Sequence, residues 1–290
     1  MQSSDDSHEG MNIMQKYTLI GHPLGHSMSP FIHSELFKLN KIDAEYDCTD
    51  ICPEDLSQKA VMLRNLNGYN ITIPYKREII QYTDILDESA KRYGAVNCIH
   101  NLNGRSVGYN TDCTGFLMSV KSLGLTGKVL LIGCGGVGRM IAIETALHGA
   151  DLTIGIIPEA AKSAADLCNE IDNLSSGKKV HVRNIESVSG KYDLIINASP
   201  VGMYPKSDAC PIYEELISEC GGVFDAIYNP VKTKLIRTAQ SFGKPTVNGT
   251  AMLVYQAVKA HEIWNGEFYT DDQIQKIINA TNKIIEGDFK

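Results

Sequence analysis

The chain has no run of about eighteen consecutive apolar residues, the length a helix needs to span a bilayer, so no segment is expected to cross a membrane. It has no run of lysine and arginine, and its formal net charge is −7. That balance argues against nucleic acid or an anionic membrane surface as the main partner. It also has no Cys-x-x-Cys pair. Its eight cysteines, at 48, 52, 98, 113, 134, 168, 210 and 220, are scattered and follow no zinc-ligand spacing. Thiols in a reducing compartment are therefore expected, with neither a disulfide framework nor a bound metal. Repeats and low-complexity segments are missing too. Met1 to Gly10 are polar and acidic and lack the apolar stretch of a leader, and residues 1–12 read as a disordered tail. The expectation is a cytoplasmic protein. What remains is ordinary globular material: 290 residues, 43% hydrophobic and 21% charged, enough for about two domains.

The strongest local pattern runs from Lys128 to Gly149. An apolar run, Val129 to Ile132, leads into Gly133-Cys134-Gly135-Gly136-Val137-Gly138 and then an amphipathic stretch, Arg139 to Leu147. This reads as buried strand, glycine turn and helix, with the G-x-G-x-x-G spacing of a dinucleotide site. Gly133 allows the tight turn, Gly135 lets main chain approach a pyrophosphate, and Gly138 lets helix and strand pack closely. The helix N-terminus adds free N–H groups and a partial positive charge. The same strand–helix alternation continues through Leu152–Ile157, 159–172, Val180–Val182, Leu194–Ala198, Val223–Ile227 and 233–242. It implies a parallel, doubly wound sheet.

The first 120 residues read differently. Strands are expected at Tyr17–Gly21, Tyr46–Thr49 and Gly68–Pro74, and helices at Pro30 onward with Ser29 as N-cap, at 53–66 and at 76–82. Asn103-Gly104 marks a hairpin turn. Short polar side chains gather beside glycine and proline: Ser27, Ser29, Asn70, Thr72, Lys76, Asn97, Asn110, Thr111 and Asp112. Each alone is a helix cap, a turn or a strand residue. As a set they suit a small polyhydroxylated ligand.

Seven motifs carry a resemblance. They are Gly21 to Pro30 followed by His33, Asn70 to Lys76, Gly94 to Asn97, Gly108 to Asp112, Asn197 to Met203, Asp225 to Pro230, and Asn248 to Gln256. In this order, over residues 17–266, the chain resembles the shikimate dehydrogenases. The resemblance implies that Ser27 and Ser29 bind the substrate carboxylate and that Tyr228 closes that end. Asn70 and Thr72 would share the pocket with Lys76, and Asn97, Asp112 and Gln256 would hold ring hydroxyls. Lys76 and Asp112 would be the catalytic pair. Cofactor contacts would come from Gly133, Cys134, Gly135, Gly136, Val137 and Gly138, with Ala198, Ile227 and Gly249. The chemistry is consistent with this: reduction of a ketone leaves an alkoxide, and an ammonium beside it stabilises that charge and donates a proton.

The implied fold is α/β. A substrate domain at 13–123, completed by C-terminal helices at 249–290, joins a Rossmann domain at 124–248, with the active site expected in the cleft between them. The implied activity is reversible NAD(P)H-dependent reduction of 3-dehydroshikimate to shikimate, on the way to chorismate and aromatic amino acids. An NAD-dependent quinate/shikimate dehydrogenase and a non-catalytic ligand-binding regulator stay open. NADP is the family's cofactor, but the Asn-Arg-Thr-like string that pairs with its 2′-phosphate is replaced here by Gly155-Ile156-Ile157-Pro158-Glu159, so NAD is not excluded. Three smaller departures are Ser34 after His33, read as an external position, and Cys98 and Cys113 beside the pocket. No surface pattern fixes the oligomeric state, which leaves a homodimer open.

Overall fold

The computed structural model describes residues 14–25, 27–174, 177 and 180–288. The expected tail at 1–12 lies outside the described residues. Two compact units emerge, one of Met1–Asp87 with Ala95–Tyr109, the other of Glu88–Gly94 with Asn110–Lys290.

In chain order the first unit holds β1 (Gln15–Gly21), α1 (Ser29–Leu39), β2 (Ala44–Asp50), α2 (Leu56–Leu63), β3 (Gly68–Ile71), β4 (Ile85–Leu86), β5 (Cys98–Leu102) and β6 (Arg105–Tyr109). Its sheet runs β2-β1-β3-β5-β6-β4. The β1 strand is parallel to both β2 and β3, so each connection needs a crossover, which α1 and α2 supply. The α1 helix buries Ile32, His33, Leu36 and Phe37 on one face. The β5–β6 hairpin is antiparallel, with Leu102 opposite Arg105. Asn103 and Gly104 between them have φ 51° and 75°, the doubly left-handed turn that Asn-Gly favours.

The second unit holds α3 (Glu88–Tyr93), α4 (Asp112–Val120), β7 (Lys128–Ile132), α5 (Gly136–Leu147), β8 (Asp151–Ile156), α6 (Ala161–Leu174), β9 (Val180–Asn184), β10 (Leu194–Asn197), α7 (Glu214–Glu219), β11 (Val223–Asp225), α8 (Lys234–Ser241), β12 (Thr246–Asn248), α9 (Gly249–Asn265) and α10 (Asp271–Asp288). Its sheet is wholly parallel in the order β12-β11-β10-β7-β8-β9. That is the doubly wound Rossmann order, which reverses direction between β7 and β10. Leu130, Ile132, Ile195 and Val223 form the core of one sheet face with Leu216 and Ile217 of α7 and Leu235 and Ile236 of α8. The α4 helix packs on α9. A Cβ on Gly115 would lie 2.7 Å from the Met252 carbonyl oxygen, so glycine sets that close approach. This packing joins α4 to the C-terminal helices.

Several local expectations shift. Ser29 is the first helical residue of α1 and Met28 its N-cap. The capping-type bond comes from Ser27, whose Oγ accepts from the Ser29 N–H at 3.2 Å. Ser34 is half-buried, not external. The strand read to Pro74 ends at Ile71, and the helix read at 76–82 is a 3-10 segment, Glu78–Tyr82. Lys76 therefore stands in the connecting loop. The helix read from 159 starts at Ala161, after a 3-10 turn at Pro158–Ala160.

Candidate active site

In the first unit, six predicted residues gather where β1 and β3 end. Gly21 closes β1, and a Cβ there would meet Thr72 Cγ2 at 2.5 Å. The absence of that Cβ brings the loop carrying Ser27 beside the end of β3. Thr72 is anchored by its N–H to the Ile20 carbonyl at 2.9 Å. The Ser27 loop is pinned at its start by Asp50, which accepts from the Leu24 N–H and pairs with His22 Nδ1, both at 2.6 Å. Those hydrogen bonds hold the Asp50 carboxyl below its ordinary range, His22 contributing most.

Asn70 is the hub. Its Oδ1 accepts from the Tyr46 hydroxyl at 2.8 Å, and its Nδ2 donates to the Asn97 carbonyl at 3.1 Å. Tyr46 also stacks on His33, with ring centroids 4.0 Å apart. Burial, then the neighbouring Cys48 and Cys98, push its phenol well above the ordinary range, so it stays a neutral donor. Asn97 is 3% exposed, and its carbonyl also accepts the Ile71 N–H at 2.9 Å. One residue earlier, the Val96 N–H donates to the Lys76 carbonyl at 2.6 Å. Tyr46, Asn70 and Asn97 are thus one hydrogen-bonded chain, and Lys76 is tied by its main chain to Val96 beside Asn97. Tyr46 and His33 had no assigned role in the sequence reading. The only signal was two aromatic rings in elements that the topology makes neighbours.

The second unit carries Asp112, Tyr228, Gln256 and the cofactor residues. Asp112 opens α4 and is 7% exposed. Its N–H donates to Asn110 Oδ1 at 3.1 Å, and the Cys113 thiol donates to the Asn110 carbonyl at 3.2 Å. Gln256 lies on α9 against α4, its Cβ 3.2 Å from where a Gly115 Cβ would stand. Tyr228 is partly exposed on the loop after β11, and burial raises its phenol.

The glycine turn has the geometry its spacing implied. Gly133 adopts φ +92° and donates its N–H to the Gly155 carbonyl at 3.0 Å. A Gly138 Cβ would sit 2.5 Å from the Gly133 oxygen, so only glycine lets α5 start so close to β7. Cβ atoms on Gly135 or Gly136 would meet nothing within 4 Å. That open cradle lies at the N-terminus of α5, where main-chain N–H groups lack intrahelical acceptors, and it fits a pyrophosphate. Ala198 borders it, with its oxygen 3.2 Å from a Gly133 Cβ. Ile227 and Gly249 form a wall where β11 and β12 end: the Gly249 N–H donates to the Ile227 carbonyl at 3.0 Å.

A buried network that the sequence reading did not find supports this wall. Asp225 accepts from Thr233 Oγ1 at 2.6 Å, from Asn197 Nδ2 at 3.1 Å and from the Ile227 N–H at 3.1 Å. Burial still pushes its carboxyl up to about 6. Behind the cradle, Arg139 donates to Glu170 on α6 and, from Nη1, to the Tyr93 carbonyl at 2.7 Å. The buried Glu144 of α5 accepts from the Tyr93 hydroxyl. No disulfide joins any of the cysteines, and no group of three His, Cys, Asp or Glu side chains among the described residues could hold a metal ion. No described helix is long and apolar enough to cross a membrane.

Residues 19–99 match the family described as the shikimate dehydrogenase substrate binding domain. That span includes Ser27, Ser29, Asn70, Thr72, Lys76 and Asn97. The chain is 38% identical to the shikimate dehydrogenase (NADP(+)) of Shouchella clausii over 259 residues, covering 87% of this chain and 93% of that one. Among solved structures, shikimate 5-dehydrogenase from Listeria monocytogenes, in complex with shikimate and NAD, superposes with a TM-score of 0.82 at 30% identity, covering 91% of this chain and 96% of that one. The Thermus thermophilus enzyme, in complex with NADP(H) and shikimate, gives a TM-score of 0.82 at 28% identity, covering 92% of this chain and all (100%) of that one.

Proposed function

The chain belongs to the shikimate dehydrogenase family, and from that premise we propose that it catalyses the reversible NAD(P)H-dependent reduction of 3-dehydroshikimate to shikimate. One observation carries the reading: polar residues of the kind a hydroxylated carboxylate needs are held about the ends of β1 and β3, Ser27 by the Ser29 N–H, Asn70 by the Asn97 carbonyl, and Thr72 and Lys76 through their main chains by Ile20 and Val96.

In this reading the first unit binds substrate and the parallel sheet of the second binds the dinucleotide. Ser27 and Ser29 donate hydroxyl hydrogen bonds to the substrate carboxylate, and Tyr228 closes that end. Asn70 and Thr72 line the pocket, and Asn97, Asp112 and Gln256 hold the ring hydroxyls. When bound on Gly133–Gly138, Ala198, Ile227 and Gly249, the dinucleotide supplies the hydride. The Lys76 ammonium stabilises the charge that builds on the C3 oxygen and gives it a proton. Asp112 is the second member of the catalytic pair in this reading. In oxidation the same pair takes the proton back. The scattered thiols suit a reducing cytoplasm.

The test is oxidation of NADPH and NADH by 3-dehydroshikimate, with wild type and Lys76→Ala. The expected loss in kcat is on the order of 10²–10⁴-fold, the usual worth of a positioned general acid, with dinucleotide affinity unchanged. A wild type that binds shikimate without turnover would make the chain a ligand-binding protein. Undiminished kcat in the variant would remove Lys76 from the chemistry.

A further inference from the structure

A dinucleotide presents either a hydroxyl or a phosphate at the 2′-position of its adenosine ribose. In a doubly wound sheet of this order, the end of the second strand, here β8, is where that group is read. A phosphate there brings close to two negative charges and calls for arginine or lysine, preferably a guanidinium fork.

The residues after β8 do not offer one. Ile156 is 6% exposed and buried in the sheet, while Ile157 is 57% exposed. Pro158, Glu159 and Ala160 form a single 3-10 turn with the Glu159 carboxylate exposed in it. The surface is hydrocarbon, on which an adenine ring can lie, followed by a carboxylate. A carboxylate can accept a hydrogen bond from a ribose hydroxyl and repels a phosphate. Asp151, the acid of β8 itself, is at the opposite end of the strand.

The nearby cations do not fill the gap. Arg139 spends Nε (2.8 Å) and Nη2 on Glu170, and Nη1 (2.7 Å) on the Tyr93 carbonyl. Arg183 on β9 is the register partner of Gly155. Register places it level with Gly155, on an edge strand and short of the turn after Ile156, and its side chain is exposed. Lys162 is exposed in the first turn of α6, three residues beyond Glu159, as a flexible single charge.

We propose that this chain selects NAD(H) over NADP(H), with Ile157 and Glu159 setting the preference, although its curated relatives carry NADP(+) in their names. The inference rests on the dinucleotide reading above and deepens it. The pyrophosphate cradle fits either nucleotide, whereas the β8 turn fits only the one without the extra phosphate.

The test is direct titration of the full chain, without substrate, by calorimetry or nucleotide fluorescence. NADH should bind about tenfold or more tightly than NADPH, the factor one charge-assisted hydrogen bond carries. Ile157→Arg should tighten NADPH about tenfold and leave NADH within about twofold. Glu159→Gln should narrow the gap by a smaller factor. Wild type binding NADPH as tightly as NADH overturns the proposal, and a loss of that affinity in Lys162→Ala or Arg183→Ala would then locate the phosphate's true partner. Turnover of 3-dehydroshikimate in the same preparation separates the two levels. Tight NADPH binding with turnover defeats the selectivity alone, whereas binding of neither nucleotide defeats the function beneath it as well.

Discussion

The two units build their candidate sites from different material. The first uses side chains: hydroxyls, amides and an ammonium, braced by Tyr46 through its bond to Asn70. The second uses main chain: glycines at 133, 138 and 249 whose missing Cβ atoms let strand ends and helix starts approach. The difference follows from the ligands. A hydroxylated ring must be told from its analogues group by group, which needs donors and acceptors at fixed points. A pyrophosphate is the same in every dinucleotide, and N–H groups at a helix start suffice for it.

If so, adding atoms should damage the second unit and removing them should damage the first. The largest effect is expected from Gly249→Ala, whose Cβ would sit 2.1 Å from the Ala226 oxygen. Thermal denaturation should show a loss of about 3 kcal/mol, at the upper end for overpacking against backbone. Gly135→Ala is its control: nothing lies within 4 Å of that Cβ, so stability should hold while dinucleotide affinity falls. If Gly135→Ala also lowers the melting temperature, the cradle is structural. Next is Asn70→Ala, which removes the partner of both Tyr46 and the Asn97 carbonyl. It should cost about 1–3 kcal/mol in stability and lower kcat/KM without touching dinucleotide affinity. Smaller still is Ser27→Ala, expected to raise KM for 3-dehydroshikimate about five- to tenfold with little change in unfolding.

A last effect concerns acid. Burial holds Asp225 up at about 6 against an ordinary 3.8, and holds His261 down to about 3 against an ordinary 6.5. The unfolded chain releases the Asp225 proton first, so that group subtracts stability as pH rises from about 4 to 6. The unfolded chain takes up the His261 proton first, so that group's contribution is full above about 6.5 and is lost as pH falls toward 3. Between pH 4 and 6 the two slopes oppose, each up to about 1.4 kcal/mol per pH unit. Asp225→Asn should therefore steepen the acid loss of stability in that window, measured by urea midpoints at several pH values. An unchanged slope would mean that Asp225 is ionised in the folded protein.

Much of the second unit was legible because its signals are local. The spacing of Gly133, Gly135 and Gly138, the apolar run before it and the strand–helix alternation all lie within short windows. Asn103-Gly104 was legible for the same reason. What escaped was short or distant. The β4 strand has two residues and β12 has three, too few for a period to show. Asn197, Asp225 and Thr233 become a network only because β10 and β11 run parallel with Asn197 opposite Asp225. Ser29 looked like a cap because it precedes the apolar face, but the hydroxyl that accepts the first N–H belongs to Ser27. In the first unit, the polar residues were visible only as a set, and their roles came from resemblance. Tyr46, which binds the set together, sits in a strand whose neighbours only the topology decides.

The contact between Tyr93 and Glu144 sets how this chain could be cut. Glu144 is buried in α5, and the hydroxyl it accepts from arrives on α3, before the chain returns to the first sheet to lay down β5 and β6. A fragment beginning at Asn110 would keep every strand of the parallel sheet yet strand that carboxylate without its donor, a loss of about 3–5 kcal/mol when a buried charge is orphaned. A fragment ending at Tyr109 would carry α3 without the Glu144 and Arg139 partners of Tyr93. Neither half is a clean module for expression or for grafting onto another partner, and a workable dissection would have to move residues 88–94 along with the dinucleotide sheet.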